Sequence, residues 1–155
     1  MKYLFIIITF FLLFGCADKN AFTKFKMTKI QELSASSIQS TKIESNEGID
    51  GIFSAIYLNE VYPEKYFDNE YFFISLYLKD KQEYIKHNIE LNKKFPLSIK
   101  KLSFENEFSN LIGAKNSWKD YYFVVFKKEN SSRLSIVFES GQSFSAPLVY
   151  QKDKQ

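Results

Sequence analysis

Alternating apolar and polar residues form the most regular pattern in this chain. In "YFFISLYLK", residues 71–79, one face carries Phe72, Ile74, Leu76 and Leu78, and the residues between them occupy the other face. A period of two is that of a β-strand, because successive side chains point to opposite sides of the backbone. This segment is therefore predicted to be a strand.

Other segments repeat the strand pattern. The alternation in "QSTKIES" predicts a first strand over residues 39–45. Weaker alternation in residues 89–91 and 97–99 predicts one or two shorter strands. Four more runs are rich in β-branched and aromatic residues and are bounded by Pro, Gly, Asn, Asp or Ser, which is typical of strands. These runs are residues 52–59, 121–128, 134–140 and 146–152.

Residues 104–113, "FENEFSNLIG", show a different spacing. One face of a helix would carry Phe104, Phe108, Leu111 and Ile112, and Gly113 is a typical residue to end it. A short helix is therefore predicted here.

The fold class follows from the length and order of these segments. No long helix alternates with the strands, which argues against a parallel sheet. Turns such as "KKENSSR" and "ESGQSFS" are short enough to join antiparallel neighbours. The chain is therefore predicted to be all-β, with an antiparallel β-sandwich of about seven strands over residues 38–155 and a barrel as the alternative.

The first 15 residues have the composition of a secretory signal peptide. Lys2 precedes about a dozen apolar residues that end at Phe14. A helix that crosses the hydrocarbon layer needs roughly 20 such residues. Gly15 is small, as a residue just before a cleavage point must be. Residues 1–15 are therefore predicted to be a cleaved signal.

The end of this segment, Leu13-Phe14-Gly15-Cys16, resembles the lipobox of bacterial lipoproteins. The resemblance implies cleavage between Gly15 and Cys16 and acylation of the Cys16 thiol and of the new amino terminus. Two or three acyl chains hold a soluble domain at a membrane, whereas one gives only marginal binding. The expected location is therefore the bacterial cell envelope. In such lipoproteins an aspartate after the cysteine favours the inner membrane, so Ala17 favours the outer membrane.

Residues 16–37 are predicted to be the lipidated amino terminus and a tether, because polar residues dominate them. Cys16 is the only cysteine of the chain. Lipid on its thiol would leave the mature chain without disulfides, thiolate metal sites or cysteine nucleophiles. Five apolar residues of this segment fit a short helix or an edge strand: Phe22, Phe25, Met27, Ile30 and Leu33.

The charge of the mature chain argues against a nucleic-acid partner. Without residues 1–15 the chain has 20 basic and 18 acidic side chains, so no strong positive field attracts phosphate. Arg133 is the sole arginine, and bidentate recognition of guanine or phosphate relies on arginine.

The mature domain resembles a group of envelope proteins. Together with the signal and the lipobox, the phrases "IFSAIYLNEVYPEKYFDNEYFFISLYL", "FPLSIKKL" and "SWKDYYFVVF" look like those of a family of small lipoproteins of epsilon-class proteobacteria. The resemblance covers roughly Gln39 to Gln151. It implies a variant immunoglobulin-like β-sandwich and a cell-envelope location, and it implies no known catalytic residue.

Residues with catalytic potential form no known constellation. His87 is the sole histidine, and a metal site would need further histidines or cysteines, so a surface loop position is favoured. Ser98 and Lys101 match the Ser-x-x-Lys pattern of penicillin-recognising enzymes, but the companion motifs are absent and the match is attributed to chance. No catalytic residue and no cofactor is predicted.

Three oxygen-bearing residues in succession, Asp68, Asn69 and Glu70, could in principle hold calcium. Calcium takes six to eight oxygen atoms from several loops. A solvated hairpin turn is therefore the favoured interpretation, and no metal site is predicted.

Tyrosines and lysines supply the candidate binding surfaces. Tyrosine joins apolar area to a polar tip and suits interfaces, although the series here would also fit the outer stripe of a sandwich. The lysine pairs at residues 93–94, 100–101 and 127–128 are expected to protect sheet edges from aggregation, with binding of anionic lipid or glycan as the alternative. The tyrosine series consists of Tyr57, Tyr62, Tyr66, Tyr71 and Tyr77.

Together these features predict a lipid-anchored, non-enzymatic binding or interaction module of the cell envelope. Its partner would be another envelope protein, a glycan or a host surface. The alternative is a structural or assembly subunit of an envelope complex, and an enzyme ranks third.

Overall fold

The computed structural model describes residues 27–79, 87–111 and 116–152, which form an antiparallel β structure with two short helices. The helices are α1 (Lys29–Ser37) and α2 (Leu58–Val61). The strands are β1 (Gln39–Ser45), β2 (Gly48–Tyr57), β3 (Glu70–Leu78), β4 (His87–Leu91), β5 (Ser98–Leu102), β6 (Asp120–Phe126), β7 (Arg133–Ser140), β8 (Ser143–Ser145) and β9 (Leu148–Gln151).

All nine strands belong to one curled sheet with the order β4-β7-β8-β1-β2-β3-β6-β5, and β9 also pairs with β7. The paired neighbours are antiparallel, so the predicted all-β antiparallel fold is confirmed. The described residues form nine strands rather than about seven. Because β1 pairs with both β2 and β8, the sheet is continuous and forms a half-barrel rather than a clear sandwich of two sheets.

The inner face of the curled sheet encloses the larger core. Phe53 on β2 and Phe138 on β7 are three strands apart in the order, which is about 14 Å in a flat sheet. Their ring centroids nevertheless lie 5.8 Å apart, because the sheet curls around them. The Tyr150 hydroxyl on β9 also donates to the Ala55 carbonyl on β2 at 2.6 Å. The other buried members are Ile43, Tyr57, Phe72, Ile74, Leu76, Ile89, Leu91, Val124, Phe126, Leu134, Ile136 and Leu148.

A second core covers the outer face of β2, β3 and β6. The rings of Phe73 and Tyr121 stack there with centroids 5.8 Å apart, and the Phe108 ring lies 5.2 Å from Phe73. Leu33 of α1 and Val61 of α2 pack in the same cluster. The central strands are therefore apolar on both faces, and each face has its own cover.

Residues 29–37 are helical, which decides between the helix and the edge strand for this part of the predicted tether. The Thr28 hydroxyl accepts a hydrogen bond from the Gln31 backbone N–H at 3.3 Å, and the Gln31 side chain accepts one from the Thr28 N–H at 2.9 Å. This capping box satisfies two backbone donors at the helix start. The Ser34 hydroxyl donates to the Leu111 carbonyl at 3.0 Å and ties α1 to the outer core.

The helix predicted for residues 104–113 is wrong over its described part, because residues 107–111 form turns. The Asn106 side-chain oxygen accepts from the Phe108 N–H at 2.9 Å, and the Ser109 hydroxyl donates to the Asn106 carbonyl at 2.5 Å. Such bonds give the backbone an alternative to helical pairing. The apolar spacing still marks burial, since Phe108 and Leu111 enter the outer core.

Gly51 and Gly48, both on β2, offer a matched test of the strand register. A Cβ atom at Gly51 would lie 2.1 Å from the Tyr77 carbonyl oxygen, a backbone atom of β3. A Cβ atom at Gly48 would meet no atom within 4 Å, but its φ of +126° strains an L residue.

We expect Gly51→Ala to lower the free energy of unfolding by about 3 kcal/mol, and Gly48→Ala by about 1 kcal/mol. Urea unfolding measures both, and a larger loss for Gly48→Ala would contradict the β2–β3 register.

Candidate functional site

The predicted tyrosine series divides between the two cores. Tyr57 is buried in the inner core and Tyr66 in the outer core. Tyr62 and Tyr71 are half-buried against the outer core, and Tyr77 is half-buried on β3. The five side chains therefore do not share one exposed surface, because the sheet is covered on both faces. Only Tyr62, Tyr71 and Tyr77 keep area that a partner can reach.

The outer tyrosines pack against one another and against phenylalanines. The Tyr66 ring centroid lies 4.8 Å from that of Tyr71 and 5.9 Å from that of Phe123. The Tyr71 hydroxyl donates to Asp68 Oδ1 at 2.7 Å, and this hydrogen bond lowers the pKa of the Asp68 carboxyl. The polar tip of Tyr71 thus stabilises the turn before β3.

Glu70, the first residue of β3, is a buried carboxylate with three donors around it. The Tyr57 hydroxyl donates to Oε2 at 2.5 Å, and the Glu129 N–H and Lys152 Nζ donate to Oε1, each at 2.9 Å. Glu70 is only 1% exposed, so these bonds replace the water that a charged carboxylate would otherwise need. Lys152 Nζ also donates to the Glu129 carbonyl. The group joins β2 and β3 to the β6–β7 turn and the residue after β9.

A cleft of about 520 Å³ opens beside this network, lined in part by Tyr66, Phe67 and Lys128. Both oxygens of Glu70 already accept hydrogen bonds, whereas a general base needs an oxygen directed at a substrate. Burial raises the pKa of the Tyr57 hydroxyl, and its bond to Glu70 raises it further, so this hydroxyl stays protonated. Lys128 Nζ donates to the Phe67 carbonyl at 2.7 Å. These hydrogen bonds join β2 and β3 to the β6–β7 turn and to Lys152.

The three candidate calcium ligands are bonded within the fold. The Asn69 side chain donates to Asp68 Oδ2 at 3.3 Å. Asp68 accepts from Tyr71, and the Asn69 carbonyl accepts from the Asn59 side chain at 2.6 Å. Glu70 turns inward to the network described above. Among the residues that the structure describes, no group of three His, Cys, Asp or Glu side chains could hold a metal ion.

The Ser-x-x-Lys match lies on a strand. Ser98 and Lys101 are three residues apart on β5, so they face opposite sides of the sheet and do not meet. Lys101 Nζ instead pairs with Asp120 Oδ1 at 3.0 Å. His87 begins β4, and its side chain lies outside the described part of the structure.

The lysine pairs occupy different parts of the sheet. Residues 93–94 lie in the turn after β4, residues 100–101 on β5, and residues 127–128 just after β6. Lys94 Nζ pairs with Glu129 Oε1 at 2.7 Å. The pair on β5 is at a sheet edge, where lysine disfavours aggregation.

An uncovered apolar surface lies at one end of the sheet. β5 and the turn before it, residues 92–102, form what we term the β5 edge. Among the described strands β5 pairs with β6 alone. Phe95, Leu97 and Ile99 are 67%, 63% and 44% exposed. Three large apolar side chains within five residues, beside an unpaired strand edge, are the features of a protein-binding surface.

Sequence reasoning identified β5 as a weak strand and missed this surface. Its signal is present in "NKKFPLSIKKLS", residues 92–103, where apolar residues lie between lysines and no acidic residue occurs. No comparable pattern in the sequence indicates the Glu70 network. Its donors come from residues 57, 129 and 152, and only folding brings them together.

Comparison with known proteins adds no relative. No family model matches the chain, and no curated protein or solved structure matches it. The resemblance to small envelope lipoproteins therefore stays an expectation from the sequence. Gly15 and Cys16 lie outside the described residues. Within residues 27–79, 87–111 and 116–152, no helix has the length and apolar character to cross a membrane.

Because two tyrosines are buried, we expect the folded protein to lose stability at alkaline pH. Burial is the main cause that raises the pKa values of Tyr57 and Tyr150 in the folded protein. An unfolded tyrosine ionises near pH 10, so above that pH the folded chain retains two protons that the unfolded chain has released. The free energy of unfolding should then fall by about 1.4 kcal/mol per pH unit for each tyrosine, and below pH 10 this contribution is fully present.

Urea unfolding from pH 9 to pH 11.5 measures this slope. Tyr57→Phe should lower stability at pH 7 by about 1–3 kcal/mol, because Glu70 loses a donor. Each single variant, Tyr57→Phe or Tyr150→Phe, should also reduce the alkaline slope by about 1.4 kcal/mol per pH unit, and the double variant by about twice that. A smaller slope remains in the double variant, because the pKa values of Tyr62, Tyr71 and Tyr122 are also raised. A double variant with the same slope as the wild type would contradict the buried placement of both hydroxyls.

Proposed function

We propose that the protein is a non-enzymatic interaction module that lipid on Cys16 anchors at the bacterial cell envelope, on the outer membrane. The observation that supports an interaction role is the β5 edge, where Phe95, Leu97 and Ile99 are exposed beside a strand that pairs on one side only. A partner that covers these side chains removes apolar surface from water, which favours association by roughly 25 cal/mol per Å².

The anchoring role is supported by the amino-terminal sequence. A basic residue, about a dozen apolar residues, Gly15 and Cys16 follow one another in the order of a lipoprotein signal. Residues 17–28 then connect the lipid to α1, and a fully extended chain of this length reaches at most roughly 45 Å. The interaction module would therefore act close to the membrane surface.

Site-specific photo-crosslinking in intact cell envelopes tests the interaction role. A photo-reactive residue replaces Leu97 in the full chain, and in a control chain it replaces Phe144 on β8, which is 61% exposed and so nearly as accessible. We expect a discrete adduct from position 97 and none of the same mass from position 144. Identical adducts from both positions, or none from position 97, would overturn an interaction at the β5 edge.

Cys16→Ser tests the anchor. An alcohol cannot replace the thiol that takes the diacylglyceryl group, so the variant should stay uncleaved and carry no labelled fatty acid. Acyl labelling and the mass of the mature amino terminus measure this. Pelleting with membranes is not a sufficient readout, because the retained apolar segment would also hold the variant at a membrane. A wild-type chain that begins elsewhere than Cys16, or carries no lipid, would refute lipid anchoring.

A further inference from the structure

We propose that the β5 edge binds an extended, acidic segment of a partner protein as an added strand of the sheet. The inference rests on the proposed interaction role and specifies the chemistry of the partner. An added strand forms main-chain hydrogen bonds with the edge. Its alternate side chains contact the two faces of the sheet.

The backbone of β5 supplies the first part of the argument. Its five residues pair with β6 in register from Ser98 with Val125 to Leu102 with Tyr121. Alternate N–H and C=O groups of an edge strand point away from its only neighbour and are available to another chain. Four of the five residues, Ser98 to Lys101, are exposed, so nothing among the described residues covers this side of the strand.

The turn before β5 holds the edge in a fixed position. Asn92 and Lys93 have φ values of 48° and 66°, and Leu91 and Lys94 exchange two backbone hydrogen bonds, each of 2.9 Å. The Asn92 side chain accepts from the Ser135 N–H on β7 at 2.9 Å. A rigid edge loses little conformational entropy on binding, which favours association.

The register of β5 defines what each face of an added strand would meet. Ile99 lies opposite Val124, which belongs to the inner core, and Lys100 lies opposite Phe123 on the outer face. A strand beside β5 would therefore place an apolar residue next to Ile99 and the following residue next to Lys100. An alternation of apolar and acidic residues matches both positions.

Charge distinguishes an acidic partner from two other occupants. Residues 92–103 contain four lysines and no acidic residue, and neither Lys93 nor Lys100 forms an ion pair with a described residue. A second copy would bring its own β5 lysines against these, and like charges on paired strands destabilise. The chain's own residues 17–28 carry three lysines and one aspartate, so they too would be repelled.

Synthetic peptides test the inference on the full chain, purified in a mild non-ionic detergent. The probe is a blocked nine-residue peptide of alternating valine and glutamate, and the matched peptide alternates valine and lysine. We expect the glutamate peptide to bind about 10-fold more tightly in fluorescence anisotropy, and to bind more weakly at 0.5 M salt. Bound peptide should also slow hydrogen exchange at alternate amides of β5, which contact through side chains alone would not do.

Charge reversal supplies the control. Lys100→Glu should reduce the preference for the glutamate peptide several-fold, whereas Lys42→Glu, on the interior strand β1, should leave it unchanged. Both lysines are exposed, so neither change disturbs a core. A glutamate peptide that is N-methylated at every residue cannot donate the ladder hydrogen bonds and should not bind.

Other results would overturn the inference. Equal binding of both charged peptides, a preference that Lys100→Glu leaves unchanged, or binding to anionic lipid vesicles but to neither peptide would each do so. Self-association of the chain that Leu97→Lys abolishes would identify a second copy as the occupant. If the crosslink from position 97 appears while no peptide binds, the interaction role stands and the strand-addition inference alone fails.

Discussion

The central strands β2, β3 and β6 are apolar on both faces, and the rest of the structure follows from the need to cover them. A single flat sheet would leave one of these faces in water. The sheet therefore curls, so that β4, β7 and β9 close over the inner side. On the outer side α1, α2 and the turns after β5 provide the cover. Two cores on one sheet explain why so many aromatic residues are buried in a small domain.

The cover is unequal at the two ends of the sheet. At β4 the apolar residues Ile89 and Leu91 are buried in the inner core. At β5 the corresponding inward residue, Ile99, remains 44% exposed, because the curl brings no described strand over it. The lysines of β5 keep this edge soluble and disfavour pairing between copies, while they leave it open to an acidic segment. The lysines on this uncovered edge therefore account both for its resistance to aggregation and for its selectivity for an acidic segment.

The strands could be predicted because apolar residues at every second position indicate which face of a strand is buried. Residues 39–45 match β1, and the two weak alternations correspond to β4 and β5. The helix predicted near Phe108 failed because Asn106 and Ser109 bind the local backbone. Burial of Tyr57 and Tyr66 was missed because a strand pattern does not show that both faces of a sheet are covered. The Glu70 network depends on residues up to 82 positions apart, and no local pattern encodes it.

Amide hydrogen exchange of the free protein, resolved by residue, tests most directly whether the sheet ends at an uncovered β5. The account predicts that amides of β2, β3 and β6 exchange only through global unfolding, because their strands are paired on both sides. Along β5, amides bonded to β6 should be protected and the alternate ones should exchange rapidly. Uniform protection along β5 without any partner would show that the edge is already covered, and it would contradict the account.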